Sequence, residues 1–514
     1  MMMRMTPLTG EGKPLDVSAR LVELTGLVES AARDGLPAHE LEHGLWQSLL
    51  RLGHELQAEY FALAGDGDQG EALTLADGRV VKRLPEAHIR PYQSIFGDFT
   101  LARVVYGTRE GQRIEAVPLD ARLGLPRDAC SYLLQNWNQA LVVENPYGQV
   151  NTVLGRILGL KQSVASLEAM TRTLAGAVAG HEATRPPAAP AMDQQIVVLS
   201  ADGKGVPLRK PADAPAIAAH DHARGPKPDR KKMAVLGTAY QINPHARTPV
   251  AVVEALFRDP AVKPEWPNPR RPVPQHKRVC AVLPVVAAVT EALAPPRPAE
   301  VVFPWLAEEA RRRDPDHQHP WVLLMDGQAS LWDAAAKTLG TAPRVEILDL
   351  LHATGYLWEA VHLFHDPGSA MALKWMKLLV LGLLSGMGTG VIRWLQHGAE
   401  QGHLPAAART RLEQIHGYFD RHRDRIHYDR YLAAGYPIAS GVIEGACRHV
   451  VKDRMERAGM HWTLPGAQAL LNLRCVALNN EWESFMNHYI QTETARLHAN
   501  IPSQPPSTRL RLVA

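Results

Sequence analysis

The chain has 514 residues, 46% of them hydrophobic and 21% charged, a globular composition too long for one ordinary core and suited to two or three domains. A formal net charge of only +3 gives no overall signature of a polyanion binder, and Cys130, Cys280, Cys447 and Cys475 lack any CxxC or Cys/His spacing, so neither a zinc module nor a disulfide framework is suggested and reduced structural thiols are expected. No secretory signal opens the sequence, and the longest apolar stretch, from Leu378 to Ile392, is interrupted by Gly382, Ser385, Gly386, Gly388 and Gly390 and is shorter than the roughly 20 residues of a membrane span. The expectation is a cytoplasmic protein with no membrane attachment.

The first part of the chain reads as helix: in LEHGLWQSLLRLGHELQAEYFALAG apolar residues recur at intervals of three and four. FGDFTLARVVYGTREGQRIEAVPLD follows as a small β-hairpin whose turn carries Gly107 and Gly111. From Asp128 the pattern is helical again. NPYGQVNTVLGRILGLKQSVASLEAMTRTLAG predicts two helices joined at Leu158-Gly159-Leu160, the second starting near Ser163. That is the form of a helix-turn-helix, whose second helix can enter a DNA major groove, and plain helical packing gives the same pattern. The Pro/Ala-rich run EATRPPAAPAM continues neither helix nor sheet and marks a linker.

After the linker, QQIVVLSADGKGVPL predicts a buried strand ending in Asp-Gly, and MAVLGTAYQI its hairpin partner across a long basic loop containing His220-Asp221-His222. A helix (VFPWLAEEARRR) and the strands PWVLLMDGQ and RVEILDL complete the alternation of a mixed α/β sheet. Nearly everything from Leu351 to His427 is helical, and a further helix starts at a Ser440 cap, so a helical insertion interrupts the core. Charge is unevenly placed: Ala201 to Cys280 holds 15 Lys/Arg against 7 Asp/Glu, whereas Met1 to Val80 holds 6 against 13.

Two apolar strands that each reach an Asp-Gly, at Asp202 and Asp326, put carboxylates at strand exits, where α/β folds build their sites. Taken singly each is a turn aspartate. Glu444 supplies a third carboxylate on the helix SGVIEGACRHVVKDRMER, with Arg448 and Lys452 four and eight residues on and hence on the same helical face. Three carboxylates are the minimal protein contribution to a pair of hard divalent cations, Mg²⁺ or Mn²⁺, that activate the attacking oxygen and stabilise the leaving one in phosphodiester transfer.

The segments SADGKGVP, MDGQASLW, ILDLLHATGYLWEA and GYPIASGVIEGACRHVVKDRMERAGMHWT resemble bacterial insertion-sequence transposases of the DDE superfamily, specifically the ISKra4 family; FGDFTLARVVYG and PLDARLGLP extend the likeness over nearly the whole chain. The resemblance implies an α/β fold with an RNase H-like mixed-sheet catalytic core and a helical insertion, preceded by a mainly helical DNA-binding region. It also implies catalysis by Asp202, bridging two metal ions, with Asp326 and Glu444 each holding one. Lys204, Arg209, Lys231, Lys232, Arg448, Lys452 and Arg454 are then expected on DNA phosphates, and Trp462 on DNA or in the core. Asp349-Leu350-Leu351-His352 matches a motif of such relatives whose role is open, either DNA positioning or packing. The implied reaction is metal-dependent cleavage at the transposon end followed by attack of the exposed 3′-hydroxyl on target DNA. Terminal inverted repeats and target duplex are the implied partners, and a homodimer or higher oligomer forms on them.

The expected boundaries are an N-terminal helical region with a β-hairpin (1–127), a helix-turn-helix-like segment (128–181), a linker (182–192), the first part of the core (193–348), the insertion (349–430), the second part of the core with the Glu444 helix (431–495) and a tail (496–514). Two competitors remain: an RNase H-like nuclease or resolvase without strand transfer, and a domesticated, non-catalytic DNA-binding protein.

Overall fold

A computed structural model describes residues 17–108, 113–186, 188–209, 231–258, 271–284, 296–400, 404–457 and 459–501. The chain is mixed α/β and divides into two compact units, Met1–Ala177 with Trp482–Ala514, and Val178–Glu481. Among the described residues no helix is long and apolar enough to cross a membrane.

The first unit opens with two long helices, Val17–Asp34 and Ala38–Ala64, joined through Gly35 at φ 67°, a left-handed turn that glycine adopts without a Cβ penalty. The β-hairpin starts one strand earlier than the sequence suggests: His88–Ser94 pairs antiparallel with Gly97–Arg103. Gly107 lies in a separate strand pair with Ile114–Ala116, and the Gly111 part of the expected turn falls outside the described residues. Three helices follow, Tyr132–Val142, Tyr147–Leu158 and Val164–Ala175. The second ends at Gly159 in the left-handed conformation and the third begins at Ser163, whose side chain accepts from Ser166 N, so stop and start signals act where the sequence put them.

The terminal helix Trp482–Leu497, expected with the catalytic core, groups instead with this first unit. There Trp482 Nε1 donates to Asn136 Oδ1 at 2.8 Å, and Tyr489 meets Tyr132 edge to face with ring centres 5.9 Å apart. Its aromatic side chains need a partner, and the Tyr132–Val142 helix supplies one.

The second unit is built on a five-stranded sheet: β1 (Ile196–Pro207), β2 (Lys231–Ile242), β3 (Gln275–Val282), β4 (Trp321–Met325) and β5 (Val345–Leu348). The order is β5-β4-β1-β2-β3, in which β5–β4 and β4–β1 pair parallel and β1–β2 and β2–β3 pair antiparallel. Successive residues point to opposite faces. Val197, Leu199, Ala201, Leu323 and Met325 pack against the helices Pro298–Arg313 and Ala329–Leu339. Ile196, Val198, Val322 and Leu324 join a second apolar core with the helices of Leu350–Ala433. The helical insertion therefore covers one face of the sheet, and this two-sided burial explains why the strands read as continuous apolar runs.

The structure corrects one strand boundary. β1 does not end at Asp202 but runs on to Pro207, pairing Asp202 with Leu236 and Pro207 with Lys231. The polar GKGVP stretch extends because β2 offers it a complete antiparallel ladder. At the sheet's other edge, Arg278 grips Glu182 with two hydrogen bonds of 2.8 and 2.7 Å and also binds Glu309 and Glu481. A buried guanidinium so surrounded keeps its charge paired. The Pro/Ala-rich linker stretch thus begins inside a helix, Val178–Thr184, that carries Glu182.

Candidate metal centre

Sheet register aligns three carboxylates. Leu199 of β1 lies opposite Leu323 of β4, an offset of 124 that also separates Asp202 from Asp326. Met325 lies opposite Leu348 of β5, an offset of 23 that also separates Asp326 from Asp349. Asp202, Asp326 and Asp349 thus fall on one level of three adjacent parallel strands, whose spacing is about 4.8 Å. Alternation from Val198 and from Val322 and Leu324 turns Asp202 and Asp326 to the face covered by the insertion. Asp202 stands mid-strand, and what it marks is the level where β4 stops.

The surroundings give each carboxylate a different character. Asp202 Oδ1 accepts from Gly203 N at 2.6 Å, and its Oδ2 accepts from Cys447 Sγ at 3.4 Å. Asp326 Oδ1 accepts from Gln328 N at 3.0 Å. Burial lifts the Asp326 carboxyl above its usual range, and the charges of Asp202 and Asp349 push the same way, against the Gln328 N–H and His352. Asp349 is fully buried. Its Oδ1 accepts from His352 N at 2.6 Å, capping the helix Leu350–His362, and its Oδ2 accepts from Ser440 N, which fastens the entry to the Glu444 helix. Each Asp349 oxygen accepts from a backbone donor, so the side chain positions two helix starts and keeps a further lone pair on each oxygen. Asp202 and Asp326 are half-buried and Glu444 is exposed, and all three are hard oxygen donors by chemistry.

His352 is exposed, with Nε2 4.0 Å from Asp326 Oδ2 and Nδ1 4.0 Å from Asp349 Oδ1. Asp349, His352 and Glu444 bring ligand atoms within 4.8 Å of one another, a cluster that can hold a metal ion. The motif of open role in the sequence thus lies beside the expected carboxylates. Cys447, read from sequence as a structural thiol, lies against Asp202. Burial and then the Asp202 charge push its thiol well above the usual range, so it stays protonated as a donor. Its place three residues after Glu444, one helical turn on, was the available signal.

Asp202-Gly203 lies within a strand, whereas Asp326-Gly327 is a bend closed by Gln328 N on Asp326 Oδ1, an Asx-turn. Neither Gly203 nor Gly327 has positive φ; a Cβ on Gly327 would sit 2.0 Å from Tyr418 Cε2. Gly327→Ala is expected to destabilise the protein by about 1–3 kcal/mol through this overpacking, read by chemical denaturation; unchanged stability would mean that Tyr418 swings aside. A second expectation concerns Asp326. Its folded pKa is raised, so it favours folding below the ordinary value of 3.8 and loses that contribution as pH rises through the raised value. Asp326→Asn should therefore raise the metal-free melting temperature at pH 7 by about 2 °C and leave it unchanged in strong acid. A lower melting temperature at pH 7 would contradict the strained carboxylate.

The Glu444 helix changes its winding. Gly441–Ala446 is α-helical, Cys447–Lys452 is a π-helix, and Asp453–Met455 returns to α. The expected shared face of Glu444, Arg448 and Lys452 rests on 3.6 residues per turn, and the wider π turns break that spacing. Arg448 Nε lies 3.5 Å from Asp453 Oδ1 instead. Arg474, only 2% exposed, donates from Nε to Val450 O at 2.9 Å and from Nη2 to His449 O, binding carbonyls of the widened turns.

The expected phosphate-facing cations divide. Arg209, Lys231, Lys232, Arg448 and Lys452 are exposed, and half-buried Lys204 joins Lys231 on Glu456 at 3.7 and 2.9 Å. Arg454 is a correction: it is fully buried, its guanidinium 5.1 Å from the centre of the Trp462 ring. Trp462 donates from Nε1 to Met455 O at 3.1 Å, while its backbone bonds Pro207 and Arg209. Both residues close the far end of β1. The tract His220-Asp221-His222 and the basic loop around it lie outside the described residues. No family model matches this chain, and no curated protein matches it.

Proposed function

We propose that this protein is a DDE-type transposase, with Asp202, Asp326 and Glu444 as its catalytic carboxylates. The observation that carries the reading is the register that levels Asp202 with Asp326 on adjacent parallel strands, with Cys447, three residues after Glu444, donating to Asp202. The strand order β5-β4-β1-β2-β3, with a three-stranded antiparallel run beginning at the strand that carries the first aspartate, supports an RNase H-like core. The resemblance to the ISKra4 family supports the reaction class.

The donor set fits a hard divalent cation. Asp349 and Glu444 bring carboxylate oxygens together with the His352 imidazole, His352 Nε2 also lies 4.0 Å from Asp326 Oδ2, and burial, with the charges of Asp202 and Asp349, disfavours the Asp326 carboxylate in a way that a cation would relieve. Asp202, Asp326 and Glu444 would hold two Mg²⁺ or Mn²⁺ ions, which would supply Lewis-acid stabilisation to the oxygens of a phosphodiester. Asp349 keeps the Glu444 helix in place through Ser440 N, and Arg209, Lys231, Lys232, Arg448 and Lys452 neutralise backbone phosphates. The Tyr147–Leu158 and Val164–Ala175 helices read the element's ends, the second in the major groove.

Incubating the protein with Mg²⁺, a duplex carrying the element's own ends and a plasmid target tests the reading. Joined products, with the donor 3′ end linked to plasmid, support the transposase. Nicks without joining would establish a hydrolytic nuclease or resolvase instead, and binding without cleavage a non-catalytic DNA-binding protein.

A further inference from the structure

Asp349 and His352 stand at the first turn of one helix, and their spacing gives the sequence motif Asp349-Leu350-Leu351-His352 a physical reason. Asp349 caps Leu350–His362 by accepting from His352 N at 2.6 Å, and its other oxygen accepts from Ser440 N at the entry to the Glu444 helix. One buried carboxylate thus fixes the two elements that carry His352 and Glu444. Ligand atoms of Asp349, His352 and Glu444 close to within 4.8 Å of one another, and among the described residues this is the only group of three His, Cys, Asp or Glu side chains that does so.

The distances separate a hydrogen bond from a shared ion. His352 Nε2 lies 4.0 Å from Asp326 Oδ2, and Nδ1 lies 4.0 Å from Asp349 Oδ1, beyond the roughly 2.7–3.2 Å of a hydrogen bond. Two donors that each hold one ion at about 2.1 Å lie about 3.0–4.2 Å apart, so a cation fits where a proton does not. A second, independent feature points to the same place. Tyr418 is only 8% exposed, and its hydroxyl has no hydrogen-bond partner among the described residues. Its ring centre lies 4.1 Å from that of Tyr356, one helical turn after His352, and its oxygen would stand 2.8 Å from a Cβ on Gly327, next to Asp326. Burial first, then Tyr356 and the charges of Asp326 and Asp349, push the hydroxyl above its usual range, so it remains a donor. A buried donor without an acceptor is unfavourable, and the oxygen shell of an ion held beside Asp326 supplies one.

We propose that His352 is a direct ligand of the cation that Glu444 holds, and that its nitrogen gives the centre a preference for Mn²⁺ over Mg²⁺. Mg²⁺ dehydrates reluctantly and keeps to oxygen ligands, whereas divalent ions of the first transition row accept imidazole nitrogen. The competing role is a protonated imidazole that balances Asp326 and Asp349 and touches no ion. The assignment rests on the proposed metal centre and does not depend on strand transfer.

The electron spin-echo spectrum of Mn²⁺ bound to the full-length protein without DNA decides the matter, together with calorimetric titrations of Mn²⁺ and of Mg²⁺. The wild type is expected to show the nitrogen modulation of a coordinated imidazole, and His352→Ala to lose it. Mn²⁺ affinity should fall about 10-fold or more in the variant, and Mg²⁺ affinity by less than about threefold. His352 is exposed, so the variant should keep its helical circular dichroism. Bound Mn²⁺ without nitrogen modulation, modulation that survives in His352→Ala, or no uptake of Mn²⁺ at all overturns the assignment. DNA joining that persists around an ion with oxygen ligands only removes His352 from the ligand set and leaves the transposase reading standing. Nitrogen-coordinated Mn²⁺ in a protein that neither cleaves nor joins DNA does the reverse.

Discussion

Asp202→Asn, Asp326→Asn and Glu444→Gln are each expected to lower Mg²⁺-dependent cleavage of a duplex carrying the element's ends by about 10³-fold or more, roughly 4 kcal/mol of transition-state stabilisation. Each change removes a negative charge and leaves the side chain nearly isosteric. The fold gives no reason for the variants to unfold: Asp202 and Glu444 make few internal bonds, and Asp326 is a carboxylate that folding strains. DNA binding, read by gel shift, should change by less than about threefold, because the exposed cations are untouched. Cleavage retained in any one variant would remove that residue from the catalytic set.

Asp349→Ala should act through structure. It strips the cap from the Leu350–His362 helix and leaves the Ser440 N–H without its acceptor. A lost cap costs about 1 kcal/mol and a buried unpaired donor about 1–3 kcal/mol, so a total near 2–4 kcal/mol is expected in urea unfolding. Asp349→Asn keeps one carbonyl acceptor and should lose about half as much. Cleavage falls in both because Ser440 leads directly into the Glu444 helix. Full stability in Asp349→Ala with cleavage abolished would make Asp349 a ligand and not a positioning residue.

Local signals in the sequence were readable where one residue type has one conformational use. Gly159 and Ser163 mark a helix end and a helix start because left-handed φ and a side-chain cap each favour few residues. Asp202, Asp326 and Glu444 were legible as carboxylates next to apolar strands and small residues. Misread features depend on pairing across long sequence separations. β1 passes Asp202 only because Lys231 to Leu236 lie opposite, and Asp349 joins the cluster only because β5 takes the edge beside β4. Arg454 looked like a surface cation because nothing in its neighbourhood announces that Trp462 folds over it. The π-helix is likewise invisible locally, since Arg474, which binds its carbonyls, is more than 20 residues away in sequence.

Within the first compact unit, the helix Trp482–Leu497 is synthesised after the whole of the second unit. Helices that emerge early, among them Tyr132–Val142 with Asn136, must wait for this strand of synthesis to finish before Trp482 and Tyr489 dock on them. A polypeptide cut short by a premature stop anywhere between Val178 and Glu481 retains the early helices yet lacks their last partner. Such a product has its first unit short of the packing that Trp482 and Tyr489 supply, which lowers the resistance of the early helices to local opening.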